Sequence, residues 1–366
     1  MTINCHYLFN VEYFRYLATG ADADKHCQDC NDQLIDLKPS LPKAEDWLFG
    51  DEQIFHMKTT YPGLLAGLGY AHESFQKVDR QIKLGFSLDF VTGLPIIPGS
   101  SVKGGLRSLF RHEDAKTILP KLLQHWPKIA TADGEKKVVA VDELAEKIFG
   151  EAEQEGQVVF FDAVPVRPGK NGKIFGLDTI TPHLPGSQDG QDFKYRGLTN
   201  PVPLKMLKVI ANVTFFFRFR IGQEIRLADG QAVAAKDILA LFKELLEITG
   251  LGAKTNTGFG ALKADEEADE EWQWERELRA KGMSEVEIAA RKWVKKLKDD
   301  QQFAEAFGKN LNTNRKKYPC SDEILRQIGL ELRGETIKGW KNADKKSNQR
   351  KAYKFFFPSQ NGDDKP

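Results

Sequence analysis

The sequence predicts an α+β fold, and three observations carry that expectation. Residues 82–90 and 213–221 alternate apolar and polar side chains with the period of two that marks half-buried strands. Residues 100–110 and 234–249 carry apolar residues at helical spacing instead. Near residue 264 the composition turns charge-rich, which separates a core over residues 1–264 from a charged, partly helical extension over residues 265–366.

Bulk composition narrows the function classes. Hydrophobic residues make up 41% of the 366, and 24 are Phe, so the chain has the apolar material for a packed core rather than a disordered one. Lys and Arg number 53 against 52 Asp and Glu, which excludes a histone-like polycation; nucleic-acid affinity has to come from local patches. No run of 18 apolar residues exists to form a transmembrane helix, so no membrane role is expected. Asn10, Glu12 and Arg15 interrupt any signal-peptide pattern, and four cysteines without such a signal point to a reducing compartment, the cytoplasm.

Taken in order, residues 1–50 read as an irregular start with an acidic, polar stretch over 21–36. In the strand expected over 82–90, Ile82, Leu84, Phe86, Leu88 and Phe90 share one face, and Lys83, Gly85, Ser87 and Asp89 the other. A turn at Thr92-Gly93-Leu94-Pro95 leads to Ile96-Ile97 and then Pro98-Gly99. The next helix places Val102, Leu106, Leu109 and Phe110 on one face, with Ser100 or Ser101 as its cap. Residues 143–149 read as helix, 150–156 as polar loop, 158–164 as buried strand and 165–200 as a long loop rich in Pro, Gly and Asp. In the strand over 213–221, Val213, Phe215, Phe217, Phe219 and Ile221 oppose Thr214, Phe216, Arg218 and Arg220. The helix with Ile238, Leu241, Leu245 and Ile248 on one face ends at Gly250, a suitable C′ residue, and residues 259–263 suit a last short strand. Acid crowds 265–277 and base crowds 291–298, as in solvated helices broken at Gly282; a lysine-rich tail then ends in Phe355-Phe356-Phe357 before a frayed terminus.

Two segments suit a phosphate backbone. In the first, residues 97–107, a strand turns into a helix whose N-terminal N–H groups and partial positive charge attract anions. Ser100 and Ser101 add hydroxyls, while Lys103, Arg107 and Arg111 recur at i, i+4 and i+8. Gly104 and Gly105 each cost about 1 kcal/mol relative to Ala inside a helix, so a close neighbour is expected there, a ligand backbone or another helix. An ordinary capped helix with a solvated basic face is the alternative. In the second segment Gly250, Gly252, Gly258 and Gly260 punctuate a loop between helix and strand; Lys254 brings charge, Thr255, Asn256 and Thr257 bring donors, and Phe259 packs or stacks. A Walker phosphate loop is excluded, because Ala253 precedes Lys254 and the helix comes before the strand.

The glycine pattern over 250–260 resembles the glycine-rich loop of the RAMP superfamily of CRISPR RNA-binding proteins. Ile97-Pro98-Gly99-Ser100-Ser101-Val102-Lys103-Gly104 is similar to that superfamily's early helix start. Phe161-Asp162-Ala163, Asp178-x-x-Thr181-Pro182-His183 and Gly67-Leu68-Gly69 complete an ordered set, which resembles the sixth-subunit family of the Cmr complex, the type III-B effector. The resemblance implies a ferredoxin-like (RRM-related) βαββαβ core with insertions. It implies a non-catalytic guide-RNA-binding backbone subunit of an antiviral ribonucleoprotein, near the 3′ end of the guide. Its partners would be the guide RNA, the paired target RNA and neighbouring RAMP subunits, with no cofactor or metal. Ser100, Ser101, Lys103, Gly104, Arg107, His183, Gly252, Lys254, Thr255, Asn256, Thr257 and Phe259 are the expected RNA contacts. A RAMP-type endoribonuclease that processes guide RNA or cuts target RNA is the alternative, and needs a poised His72, His183, Asp89, Asp162 or Asp178. Residues 265–366 match none of these motifs.

Three further groups have two readings each. Cys27 and Cys30 form C-x-x-C beside His26, with Cys5 and His6 upstream, half of a zinc site or simply buried thiols; Cys320 reads as a lone buried thiol. Arg218 and Arg220, with Phe216 between them, suit single-stranded RNA on an open sheet face, or solvent. The run Lys338-Gly339-Trp340-Lys341, Lys345-Lys346 and Arg350-Lys351-Ala352-Tyr353-Lys354 suits nucleic acid or an acidic neighbour, or else a solubilising tail.

Overall fold

Phenylalanines on alternate positions of one strand organise the first part of the molecule. The computed structural model describes residues 4–15, 22–67, 80–83, 85–111, 141–180, 203–228, 230, 232–297, 299–317 and 320–358. It divides into two compact units, Met1–Glu266 and Glu267–Pro366. In the first, helices α1 (Cys5–Asn10) and α2 (Ala23–Asp36) precede β1 (Gln53–Thr59), α3 (Gly99–Arg111) and α4 (Val141–Phe149). Strands β2 (Val159–Phe160), β3 (Val164–Arg167), β4 (Phe175–Ile180), β5 (Leu204–Val209) and β6 (Thr214–Arg220) follow, then α5 (Ala235–Thr249) and β7 (Leu262–Ala264).

Strand β6 is central and every pairing in its sheet is antiparallel. Phe217 lies opposite Phe55 of β1, Phe219 opposite Phe160 of β2, and Phe216 opposite Val164 of β3, while β7 pairs with β1 through Met57 and Ala264. The order β7-β1-β6-β2/β3, with α3 following β1 and α5 following β6, is the βαββαβ arrangement of a ferredoxin-like core. Phe55, Phe217 and Phe219 stack on one face, and Phe219, Phe160 and Phe149 meet Phe242 of α5 at 5.2–6.4 Å between ring centres. Each such ring buried contributes about 1.5–3 kcal/mol, which sets the side of the sheet that the helices cover.

The opposite face is closed as well, which corrects the expectation of an open surface around Arg218. Arg218 is 4% exposed, as are its neighbours Thr214, Phe216 and His56 to similar degrees. Its guanidinium donates to the Trp47 carbonyl, lies over the Trp47 and Phe161 rings at 5.6 and 5.2 Å, and sits 4.0 Å from Glu52. Arg220 pairs with the same carboxylate at 3.4 Å with half its side chain exposed. Trp47 and Glu52 explain the difference: they turn a basic strand face into a buried ion-pair cluster.

Other expectations shift for identifiable reasons. Residues 82–90 form bridges at Ile82–Lys205 and Leu88–Pro95 rather than a ladder. The alternation does bury Ile82 and Phe86, but Phe90 is exposed and the backbone bonds go to irregular partners such as Ala66 and Leu94; Leu84 lies outside the described residues. Within the supposed long loop, β4 pairs with β5 through six register positions from Phe175–Val209 to Ile180–Leu204. Residues 23–36 are not irregular: α2 buries Cys27, Cys30 and Leu34 and turns its acids outward. The strand expected over 158–164 breaks at Phe161, where Ala163 bonds instead to Ile97.

In the second unit, α6 (Glu266–Ala280) ends before Gly282, which has a φ of +78°, and α7 (Glu285–Lys295), α8 (Asp300–Gly308), α9 (Leu311–Lys317), α10 (Asp322–Gly339) and α11 (Asn348–Phe356) follow. Ser284, Asp299, Ser321 and Ser347 cap four of these helices. The acidic and basic runs meet: Lys292 of α7 bonds Glu271 and Glu275 of α6 at 2.9 and 2.6 Å. Phe355 and Phe356 are buried against Phe303, Phe307 and Trp340 in a core of their own. Among the described residues no helix is long and apolar enough to cross a membrane.

Candidate nucleic-acid interface

The glycine-rich loop is shaped by close backbone approach. Gly250, Gly252, Gly258 and Gly260 all have positive φ, between 66° and 93°. A Cβ at Gly252 would strike the Leu65 carbonyl and one at Gly260 the Leu251 carbonyl, so no other residue fits at these two positions. The loop is laced to the chain after β1 by Ala253 N–H to Leu65 O at 3.0 Å and Gly260 N–H to Gly63 O at 2.8 Å. Lys254 adopts the left-handed conformation without being glycine (φ 59°), and leads a single 3₁₀ turn, Thr255–Thr257. Lys254, Thr255, Asn256 and Thr257 are exposed, and among the described residues the Lys254 ammonium has no carboxylate partner. Thr257 turns its hydroxyl inward to the Lys254 carbonyl at 2.8 Å.

The helix start behaves differently. Asp162 accepts the Gly99 N–H at 2.7 Å, so a carboxylate of the chain itself occupies the anion-attracting end of α3. Bonds between Ile97 and Ala163 fasten the same two segments, which gives the paired motifs 97–104 and 161–163 a physical reason to occur together. The basic stripe also changes role. Arg107 donates to the Gly150 carbonyl at 3.1 Å and, with Arg111, borders a recess toward Asp142 and Glu146 of α4. Arg107, expected as an RNA contact, lines this recess and not the groove beside the loop.

The opposite side of α3 is the one that meets the loop. A Cβ on Gly105 would lie 2.6 Å from the Leu251 side chain, whereas one on Gly104 would meet nothing within 4 Å. The helix glycines therefore do two jobs, one letting α3 approach the loop and the other leaving space. That space is a groove of about 600 Å³, with Ser101, Gly104 and Ser108 on one wall and Gly250, Gly252 and Thr255 on the other. Ser100 and Ser101 are exposed and Lys103 is half-buried on the adjoining surface of α3.

Phe259 packs rather than stacks. It is 7% exposed in a small cluster with Leu65 and Met206, and Lys208 sits 5.8 Å over its ring. Lys208 also bonds Asp178 at 2.6 Å. Burial alone would raise the Asp178 carboxyl; hydrogen bonds from Lys208 and the Thr179 N–H, with the lysine charge, outweigh it and hold the pKa low. Tyr61, outside every motif of the sequence, is 87% exposed on the turn whose Pro62 faces Gly258. Nothing but its aromatic type beside Pro-Gly could have marked it. His72 and His183 lie outside the described residues. Asp89 accepts the Val91 N–H within its own turn.

The cysteine group is part of the core. Cys5, Cys27 and Cys30 are buried, and burial pushes the Cys5 and Cys30 thiols up to about 12. His26 places Nε2 2.8 Å from the Glu12 carbonyl and 3.5 Å from the Cys30 sulfur. Among the described residues, no cluster of three His, Cys, Asp or Glu side chains is placed to hold a metal ion.

With this geometry in place, comparison with known proteins is informative. A family model described as the RAMP superfamily matches residues 56–263, from within β1 to within β7 and through both walls of the groove. The chain belongs to the RAMP superfamily. Among curated RAMP relatives, it is 31% identical over 205 residues to CRISPR system Cmr subunit Cmr6 of Pyrococcus furiosus, covering 46% of this chain and 58% of that protein. It is 30% identical over 179 residues to CRISPR system CMR subunit Cmr6 of Saccharolobus solfataricus, covering 49% of this chain and 48% of that one. The chain thus spans about half the length of the curated relatives it matches. Solved structures similar to it include a cryo-EM structure of the type III-B Cmr-beta bound to cognate target RNA (25% identity, TM-score 0.39, 58% of both chains). Another is the crystal structure of Cmr6 from Pyrococcus furiosus (27% identity, TM-score 0.33, 58% of this chain and 97% of that one).

Proposed function

We propose that this RAMP protein is a non-catalytic subunit of a cytoplasmic type III-B CRISPR effector. It holds guide RNA, near the guide's 3′ end and beside neighbouring RAMP subunits, with target RNA paired to that guide. The observation that carries the reading is the shared groove. Gly105 lets α3 close on Leu251, so that Ser101 and Gly104 face Thr255 and the backbone of Gly252 across about 600 Å³ of open space. Lys254 and Lys103 supply charge, and the hydroxyls of Ser100, Ser101 and Thr255 supply donors. Such contacts grip phosphates and position a strand while reading little sequence.

Replacing Lys103 and Lys254 together by Ala is expected to weaken guide-RNA binding. The slope of log affinity against log salt should flatten by about 1.4, two single-strand phosphate contacts. Arg107→Ala should flatten that slope less than the double variant does, because its guanidinium is held at the Gly150 carbonyl and does not line the groove. Equal slopes for wild type and the Lys103/Lys254 variant would overturn the reading. The endoribonuclease alternative is tested by incubating labelled guide precursor and target with and without Mg²⁺. Cleavage lost in His183→Ala or Asp178→Ala would establish it. Asp162 and Asp178 are engaged by the Gly99 N–H and by Lys208, which argues against either as a free metal ligand.

A further inference from the structure

We infer that the second unit carries its own binding surface for a nucleic-acid strand, formed by residues 338–354 around the start of α11. The proposal takes from the preceding reading only the identity of the strand as RNA; the surface itself lies outside the matched family region and shares no residue with the groove.

The charge distribution within the unit is the first argument. Before residue 338, several bases of the unit are paired with acid: Lys292 with Glu271 and Glu275, Arg291 with Glu331 at 2.8 Å, Arg279 with Glu285 at 2.7 Å, and Arg333 with Asp300 at 2.7 Å. Residues 338–354 concentrate base, with seven Lys or Arg and one acid, Asp344; of these, Lys338 pairs with Glu335, just before the segment, at 2.8 Å. Asp344 is occupied in holding the turn, accepting the Lys346 backbone N–H at 2.8 Å. Lys341, Lys346 and Lys351 are exposed, and among the described residues none has a carboxylate partner.

The second argument is that the fold presents this charge on a rigid support. Trp340, Tyr353, Phe355 and Phe356 are buried, so the aromatics interleaved with the lysines anchor the segment to the core. Ser347 caps α11 through the Arg350 N–H at 3.1 Å, and the Arg350 guanidinium reaches back to the Lys341 carbonyl. The lysines therefore project from an ordered turn and helix rather than a loose tail. With the rings buried, base stacking is not available, and the contact is to phosphates.

The third argument separates RNA from an acidic protein. Protein interfaces are depleted in lysine and centre on exposed aromatic or apolar anchors. The exposed large apolar side chains of the described residues include none between 338 and 354. Six of the seven bases are lysine, point charges that bind phosphates without a bidentate fork.

The test uses the full chain and a fluorescent single-stranded RNA of guide length, titrated across a salt series. Lys341→Glu/Lys346→Glu/Lys351→Glu is expected to bind at least about tenfold more weakly, with a salt slope lower by about 2, three phosphate contacts. Replacing the same three by Arg should retain the wild-type slope, and melting curves of both variants should overlay the wild type because the side chains are exposed. Wild-type affinity and slope in the triple Glu variant would overturn the proposal. If the Lys103/Lys254 variant weakens binding in that same experiment, the groove reading survives the loss. Weakening by the triple variant alone sinks the groove and keeps this surface. A poly-glutamate peptide that displaces the RNA at equal charge concentration would overturn RNA as the occupant in favour of an acidic protein.

Discussion

The helix start over 97–107 and the glycine loop over 250–260 are equally suited to an anion by composition, yet the fold treats them in opposite ways. At the helix start two of the groups suited to phosphate are engaged by the chain itself: Asp162 takes the Gly99 N–H, and Arg107 is drawn to Gly150. In the loop the glycines are consumed instead, as close contacts to Leu65 and Leu251, and that leaves the tip, Lys254 to Asn256, standing out. The comparison teaches that a residue's chemistry becomes function only where the fold has not already satisfied it. Accordingly the proposed grip takes its charge from Lys254 at the exposed loop tip and Lys103 on α3, while Gly104 and Gly105 of α3 shape the groove beside them.

Three experiments break or sharpen that contrast. Gly260→Ala should have the largest effect, a loss of about 2–4 kcal/mol in unfolding free energy, because the added carbon overlaps the Leu251 carbonyl at a positive φ. A denaturant midpoint equal to wild type would show that the loop is not held as described. Asp162→Ala should come next, at about 1–2 kcal/mol, the loss of a charged helix-terminal acceptor. RNA affinity per folded molecule should not fall; a fall would mean that α3's N-terminus matters to binding after all. The smallest effect concerns the floor of the loop. Asp178 has its pKa held below the ordinary carboxylate value, so its ion pair with Lys208 stabilises the fold above that ordinary value. The contribution disappears as pH falls through the lowered pKa, and at this partial exposure it is under about 1 kcal/mol. Melting temperature followed from about pH 6 to about pH 3 should lose that component in Asp178→Asn, whose acid decline is correspondingly shallower.

Much of the core was legible because its signals are local. The Phe-rich strand, the helix at 235–249 and its Gly250 stop follow from side-chain alternation, helical spacing and the αL preference of glycine. Strand β1 escaped notice although it is central to the sheet, because His56 and Thr59 dilute the alternation of Phe55 and Met57. Residues 82–90 misled in the other direction: alternation reports half-burial of an extended chain, and Ile82 and Phe86 are buried in a segment that makes isolated bridges rather than a ladder. Arg218 was misplaced because the residues that cover it, Trp47 and Glu52, are far away in the chain and carry no mark of that role. The groove walls were legible as motifs, but Tyr61 and the Lys208–Asp178 support were not, since each depends on a long-range neighbour.

The amino-acid order alone determined the local choices: which segments pleat or coil, where glycine must take a left-handed backbone, and which motifs place this chain in its superfamily. Those are matters of sterics and periodicity within a few residues. Tertiary structure alone decided which charges remain available, because that depends on what arrives from elsewhere. A carboxylate 63 positions away closes the start of α3, Glu52 and Trp47 bury Arg218, and Lys254 is left facing solvent. A buried charge must find a partner to offset its lost hydration, and only the folded chain determines which charges are buried.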